Sequence, residues 1–86
     1  MQAWKLEQKV FEKEGVRIVI RAQSEAKVGK FEYQRCATGT TTLADWLSTR
    51  VYPLTGELEV VVVNGRGEID PHGKTHMDTL RSSYSV

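Results

Sequence analysis

The sequence predicts an α+β fold, a two-layer sandwich in which an antiparallel four-stranded sheet carries two helices on one face. Several short stretches alternate apolar and polar residues, which is typical of half-buried strands. Two others space their apolar residues three and four apart behind a helix start signal. With 86 residues, the chain is expected to form one domain, residues 1–86, around a modest core. The predicted element order is β-β-β-α-β-α.

The first two strands are predicted on either side of a glycine turn. Residues 4–11 alternate in polarity, and residues 16–22 do so more clearly. The residues between them form a hairpin loop in which Gly15 is free to adopt positive φ. A second interpretation stays open, because residues 2–14 are good helix formers throughout and Gly15 would serve equally well as a helix C-cap.

The third and fourth strands lie before and after the first predicted helix. Residues 30–36 alternate again, with Phe31 and Tyr33 on the inner face. Residues 57–63 end in four consecutive valines, and an Asn-Gly pair follows as a turn signal. Both stretches are therefore predicted to complete the sheet.

Two matching start signals predict the helices. Thr42 precedes Asp45 by three residues, and Thr75 precedes Asp78 by the same spacing. A threonine hydroxyl at this position accepts a bond from a first-turn amide, and the aspartate favours the positive helix end. Apolar spacing then places Trp46 in the core.

The first of these helices is expected to end near Val51. Pro53 follows two positions later, and the residue before a proline avoids helical geometry.

The stretch 64–80 holds both histidines of the chain and is the obvious candidate for a metal site. Asp70, His72, His76 and Asp78 fall close together in it. If a helix begins at Thr75, however, the two histidines do not share one helical face, and zinc sites usually need three or four ligands. Aspartates at these positions also serve turns and helix starts. No metal and no cofactor is therefore predicted.

Other catalytic chemistry finds no support in the sequence. Residues 73–75 read Gly-Lys-Thr, but Glu68 occupies the position where a phosphate-binding loop requires its upstream glycine. Cys36 is the only cysteine and has no flanking signature of a nucleophile. The protein is expected not to be an enzyme. The lone cysteine and the absence of an apolar N-terminal leader also predict a reducing, cytoplasmic location.

The predicted outer face of the sheet indicates a binding function. Helices on one side leave the other side open, and the consecutive valines make the fourth strand apolar on both faces. An apolar centre with a mixed-charge rim is typical of a protein interface. The sequence thus predicts a non-catalytic module that docks another protein or a second copy of itself. The predicted interface residues are Phe11, Arg17, Val19, Arg21, Glu59, Val61 and Val63.

The alternative prediction is a nucleic-acid-binding accessory protein that uses the basic residues of the first three strands. These residues are Lys5, Lys9, Arg17, Arg21, Lys30 and Arg35. A formal net charge of +1 gives no broad basic footprint, and the sheet lacks the exposed aromatics on which bases stack. No apolar run approaches the roughly 20 residues of a membrane span, so no membrane partner is expected.

Overall fold

A computed structural model describes residues 1–23 and 26–84, and within them the chain forms three helices and a two-stranded antiparallel sheet. The fold is α+β, but the predicted four-stranded sheet with two helices is wrong. The elements are α1, Ala3–Glu14; β1, Arg17–Arg21; α2, which runs from Leu43–Trp46 through a π-helical turn, Leu47–Val51, to a last turn, Tyr52–Thr55; β2, Glu59–Val63; and α3, Met77–Ser82.

The first predicted strand is a helix, α1. Its buried side chains, among them Leu6 and Val10, recur at helical spacing, whereas a strand would also have turned the polar Gln8 inward. The helix ends at Gly15, which adopts φ 72° and donates its N–H to the carbonyl of Phe11 at 3.0 Å. The interpretation of residues 2–14 as a helix with a glycine C-cap is therefore confirmed, and the hairpin is wrong.

The third predicted strand is absent, because residues 28–41 form neither helix nor strand. A further strand needs a free sheet edge, and both edges are occupied. On the outer edge of β1, the Glu7 carboxylate accepts the Ile20 N–H at 2.7 Å. On the outer edge of β2, the Asp70 N–H donates to the Val62 carbonyl at 2.8 Å. The alternating pattern of residues 30–36 therefore has no strand to pair with.

The two strands that do form pair as an antiparallel ladder. Val19 is opposite Val61, and the pairing extends to both ends of each strand. In β1, Ile18 and Ile20 point into the core while the alternate residues are exposed, as predicted. Both strands are slightly shorter than the sequence patterns indicated.

Helix α2 does not end near Val51 as predicted. A π-helical turn carries the helix past Pro53, and in it the Tyr52 N–H bonds to the carbonyl of Leu47, five residues earlier. Proline lacks an N–H and clashes with the carbonyl four residues before it, so a wider turn lets the helix continue.

The core lies between α1, the inner face of the sheet, and helices α2 and α3. Trp46 is 0% exposed, which confirms its predicted place. The fully buried apolar side chains around it come from every element of the fold: Leu6, Val10, Val16, Ile18, Leu43, Val51, Val62 and Met77.

Candidate functional site

The histidine-rich stretch and the segment before α2 are bonded to each other rather than arranged around a ligand. Thr42 and His76 form an antiparallel bridge, and each segment accepts bonds from the first helical turn of the other. Four amides take part: Leu43 donates to Thr75, Ala44 to Gly73, Met77 to Thr41 and Asp78 to Gly39, at 2.7, 2.9, 2.8 and 2.9 Å. We call this arrangement the reciprocal cap. It uses the amides with which a helix start would otherwise bind an anion.

Of the two predicted helix start signals, one forms a side-chain cap in the structure and the other does not. The Thr42 hydroxyl accepts the Asp45 N–H at 3.3 Å, so the predicted cap of α2 is confirmed. In α3 the N-cap position belongs to His76, whose side chain makes no capping bond, and the predicted cap at Thr75 is wrong. Because the Thr41 and Gly39 carbonyls already bind the first amides of α3, a side-chain cap is not needed there.

The predicted cluster of histidines and aspartates serves the backbone. His72 accepts the Lys74 N–H on its Nδ1 atom at 3.1 Å, and Asp70 takes a left-handed conformation with φ 52°. The carboxylate of Asp78 lies against Gly39, where a Cβ atom would collide with it. Within residues 1–23 and 26–84, no three His, Cys, Asp or Glu side chains are grouped so as to hold a metal ion.

A buried carboxylate ties the three helices together. Glu14, at the end of α1, pairs with Arg50 of α2 at 2.8 Å and with Arg81 of α3 at 3.1 Å, and it also accepts the Ala37 N–H at 2.8 Å. Arg81 donates in addition to the carbonyls of Glu14 and Ala37, at 2.6 and 2.8 Å. Both carboxylate oxygens are thus bonded to protein groups. The arrangement is a structural clamp rather than a free acid or base.

The most distinctive exposed surface is a groove between α1 and β1. Trp4 and Phe11 are 40% and 43% exposed, and Val19 beside them is 40% exposed. On a helix, residues seven apart lie on the same side, so the two aromatic rings of α1 form one edge of the groove. The groove has a volume of about 370 Å³, and we call it the α1–β1 groove. Its lining residues are Trp4, Glu7, Gln8, Phe11, Arg17, Ile18 and Val19.

Cations lie over both aromatic rings of the groove. The Lys5 Nζ atom is 5.5 Å from the centre of the Trp4 ring, and the Arg17 guanidinium is 5.7 Å from that of Phe11. Attraction between a cation and the face of an aromatic ring stabilises such pairs. The Phe11 ring also meets the Tyr84 ring edge-on at 6.0 Å, which holds it in place at the end of the groove.

The predicted interface residues divide into three groups. Phe11, Arg17 and Val19 line the α1–β1 groove. Arg21 and Glu59 lie farther along the sheet and pair with each other at 2.9 Å. The valines of β2 are less accessible than predicted, because Val63 is half-buried and Val61 is only 5% exposed.

The burial of Val61 corrects the predicted apolar centre of the sheet. Val61 is paired with the exposed Val19 and faces the same side of the sheet, but it is itself buried. Strand β2 is flanked by β1 on one side and by a bridge from Val63 to Ile69 on the other. The exposed apolar surface is therefore centred on α1 and β1 rather than on β2.

Four residues that line the groove are not among the predicted interface residues: Trp4, Glu7, Gln8 and Ile18. Reading residues 4–11 as a strand placed Trp4 on the inner face, away from Phe11. The seven-residue spacing of Trp4 and Phe11 was the available signal, and it has meaning only on a helix.

The basic residues of the alternative prediction do not lie on neighbouring strands of one sheet. Lys5 and Lys9 lie on α1 and only Arg17 and Arg21 lie on a strand, whereas Lys30 and Arg35 are in the segment before α2. The predicted row of cations across three neighbouring strands is wrong.

A second groove, of about 420 Å³, runs beside α3 and is lined largely by hydroxyl groups. Two of these hydroxyls already donate to helix carbonyls: Ser82 to Asp78 at 2.9 Å and Ser83 to Leu80 at 2.6 Å. Among the described residues that line it, this groove has no exposed aromatic ring of the kind found in the α1–β1 groove.

Comparisons with known proteins identify no relative. No family model matches the chain, and neither a curated protein nor a solved structure matches it. In the part of the chain that the structure describes, no helix has the length and apolar character needed to cross a membrane.

Proposed function

We propose that the protein is a non-catalytic protein-binding module that docks its partner in the α1–β1 groove. The observation that supports this is the exposure of Trp4, Phe11 and Val19 around one concave surface. Large aromatic side chains beside an arginine are typical of the residues that dominate binding energy in protein interfaces. Contiguous apolar surface of this kind usually marks an interaction site.

The lining of the groove favours binding over catalysis. The described residues that line it include no histidine, cysteine, serine or threonine. Its one carboxylate, that of Glu7, already accepts the Ile20 N–H at 2.7 Å. A general base or nucleophile must be able to reach a substrate, and the groove offers neither.

The backbone around the groove is well suited to docking. One wall is a helix of 12 residues and the other is a strand in a ladder, so the aromatic side chains are held on rigid elements. A rigid surface loses little conformational freedom when it binds. A reducing, cytoplasmic location is part of the proposal, because Cys36 is exposed and unpaired.

Site-specific photo-crosslinking tests the proposal. A photoreactive phenylalanine derivative replaces Gln8 in the groove or, as a matched control, the exposed Thr79 in the groove beside α3. Cells that make the protein are irradiated, and covalent adducts are identified by mass spectrometry. We expect a discrete protein adduct from position 8, none from position 79, and loss of the adduct when Trp4→Ala is added.

Adduct size distinguishes the two kinds of partner. An adduct of twice the chain mass, supported by light scattering of the purified protein, would identify a second copy. Equal labelling from both positions, or labelling that Trp4→Ala leaves unchanged, would contradict docking in the groove.

A further inference from the structure

Arg17 lines the α1–β1 groove, and Lys5 lies beside the groove residue Trp4. Lys5 and Arg17 each lie over an exposed aromatic ring, and within residues 1–23 and 26–84 neither forms a salt bridge. Arg21, by contrast, is paired with Glu59 at 2.9 Å. The cations that remain available to a ligand are therefore those that touch the aromatic rings.

The negative charge nearest to these cations is already in use. Among the described residues that line the groove, Glu7 is the only carboxylate, and it accepts the Ile20 N–H at 2.7 Å. That bond closes the outer edge of β1, so the side chain cannot turn toward Arg17 without leaving a backbone amide unpaired. A ligand carboxylate would meet little competition at Lys5 and Arg17.

Building on the proposed function, we infer that the partner presents an acidic, amphipathic segment to the groove. Its apolar side chains pack between Trp4, Phe11 and Val19, and its carboxylates lie against Lys5 and Arg17. Opposite charges across an interface raise the rate of association and select among partners. An aromatic ring beneath each cation also restricts the cation's motion before binding.

A second copy of the chain and a lipid surface are poorer occupants. A two-fold dimer places the same patch of both copies face to face, so Lys5 and Arg17 of each copy would meet a patch with the same two cations, and the Glu7 carboxylate of that patch is bonded to its own strand. An anionic membrane attracts a helix with excess positive charge, but α1 has three lysines and three glutamates and is neutral overall. The groove is also concave, which suits a protruding segment better than a flat surface.

Two synthetic helical peptides test the partner's chemistry. They have the same stripe of leucine and phenylalanine, and their flanking positions are all glutamate in one and all lysine in the other. Binding is measured by NMR on the indole N–H of Trp4, with the buried Trp46 as an internal reference. We expect the acidic peptide to bind about tenfold or more tightly than the basic one at low salt, with the difference shrinking as salt is added.

Charge reversal makes the test specific. The double variant Lys5→Glu/Arg17→Glu should invert the preference and bind the basic peptide better. Its matched control, Arg66→Glu/Lys74→Glu, changes the net charge equally but alters exposed residues away from the groove, and it should retain the preference for the acidic peptide. Circular dichroism confirms that both variants are folded.

The outcomes separate this inference from the proposed function. Equal binding of both peptides at Trp4 would overturn the acidic partner but not the docking surface. A crosslinked adduct at position 8 without binding of either peptide would have the same consequence. Absence of both adduct and peptide binding overturns both proposals. Equal loss of binding in the control variant, or tighter binding to phosphatidylserine–phosphatidylcholine vesicles than to the acidic peptide, also overturns the acidic protein partner.

Discussion

The reciprocal cap and the α1–β1 groove differ in how many of their groups are already used in contacts within the chain. The cap contains histidines, aspartates and a glycine-rich turn, yet its helix-start amides and the His72 ring bond to the chain itself. The groove is built from ordinary side chains, but Trp4 and Phe11 remain about two-fifths exposed. The kinds of residue in a segment are therefore a weaker guide to a binding site than the number of their groups that are not already bonded within the chain.

Lysine substitutions in the sheet should show the largest difference in stability between buried and exposed positions. We expect Val62→Lys to unfold the chain, because it places an unpaired charge in the core, while Val19→Lys should leave the fold intact. Val61→Lys should also be strongly destabilising, since Val61 is 5% exposed. Circular dichroism and denaturant melts measure the effect. A stable, folded Val61→Lys protein would contradict the covered position of β2.

The two tryptophans are a matched pair for the same comparison. Trp46→Ala should lower the free energy of unfolding by about 3–5 kcal/mol, as truncation of a buried aromatic does. Trp4→Ala should cost clearly less than this, because its side chain is 40% exposed and lies outside the buried core cluster. Urea melts followed by circular dichroism provide both values. Similar losses in the two variants would show that Trp4 is a core residue rather than part of an open groove.

Glu14 connects the groove helix with the helices of the cap, and its removal should affect the whole fold. Glu14→Ala leaves Arg50 and Arg81 without their buried counter-charge and should cost about 3–5 kcal/mol. The control is Glu12→Ala on the exposed side of the same helix, which should change stability by less than about 0.5 kcal/mol. Denaturant melts measure both losses of unfolding free energy, and equal losses in the two variants would rule out the clamp.

Tyr84 should make stability sensitive to alkaline pH. Its hydroxyl accepts the Arg17 N–H at 3.0 Å and donates to the Val63 carbonyl, so it bridges the two strands beside the groove. Burial raises the pKa of this phenol above its ordinary value of 10.0, although the bond from Arg17 opposes the shift. The folded protein favours the neutral phenol, so Tyr84 contributes to the free energy of unfolding. This contribution should be complete below pH 10 and be lost as the pH rises through the pKa of Tyr84 in the folded protein.

The variant Tyr84→Phe isolates this effect. It should lower the free energy of unfolding by about 1 kcal/mol at neutral pH through the lost hydrogen bonds, and it should reduce the further loss above pH 10. Urea melts across pH 8 to about 11 measure both quantities. If the free energy of unfolding falls with pH equally steeply in Tyr84→Phe, the alkaline loss of stability comes from other groups.

The histidines of the cap should have the smallest effect. His72→Ala and His76→Ala should each change the free energy of unfolding by less than about 0.5 kcal/mol, because both side chains are exposed. We expect the purified protein to contain no stoichiometric zinc. Elemental analysis that finds near one metal per chain, lost in either variant, would show that the cap is a metal site after all.

The local features of this protein can be predicted from its sequence. The alternation of β1, the valine run of β2, the Thr42 start of α2 and the burial of Trp46 follow from side-chain spacing and capping, which act within a few residues. Gly15 likewise marked the end of the first element, although it suited a hairpin and a helix equally.

The choice between helix and hairpin and the position of the exposed surface depend on contacts between segments that are distant in the sequence. Residues 30–36 have the pattern of a strand but find no open sheet edge, because Glu7 and Asp70 bond to the two outer edges. Val61 and Val19 are paired and face the same side of the sheet, yet Val61 is buried and Val19 is exposed. The pairing of distant segments determines which edges and faces remain available, and period-two alternation contains no information about that pairing.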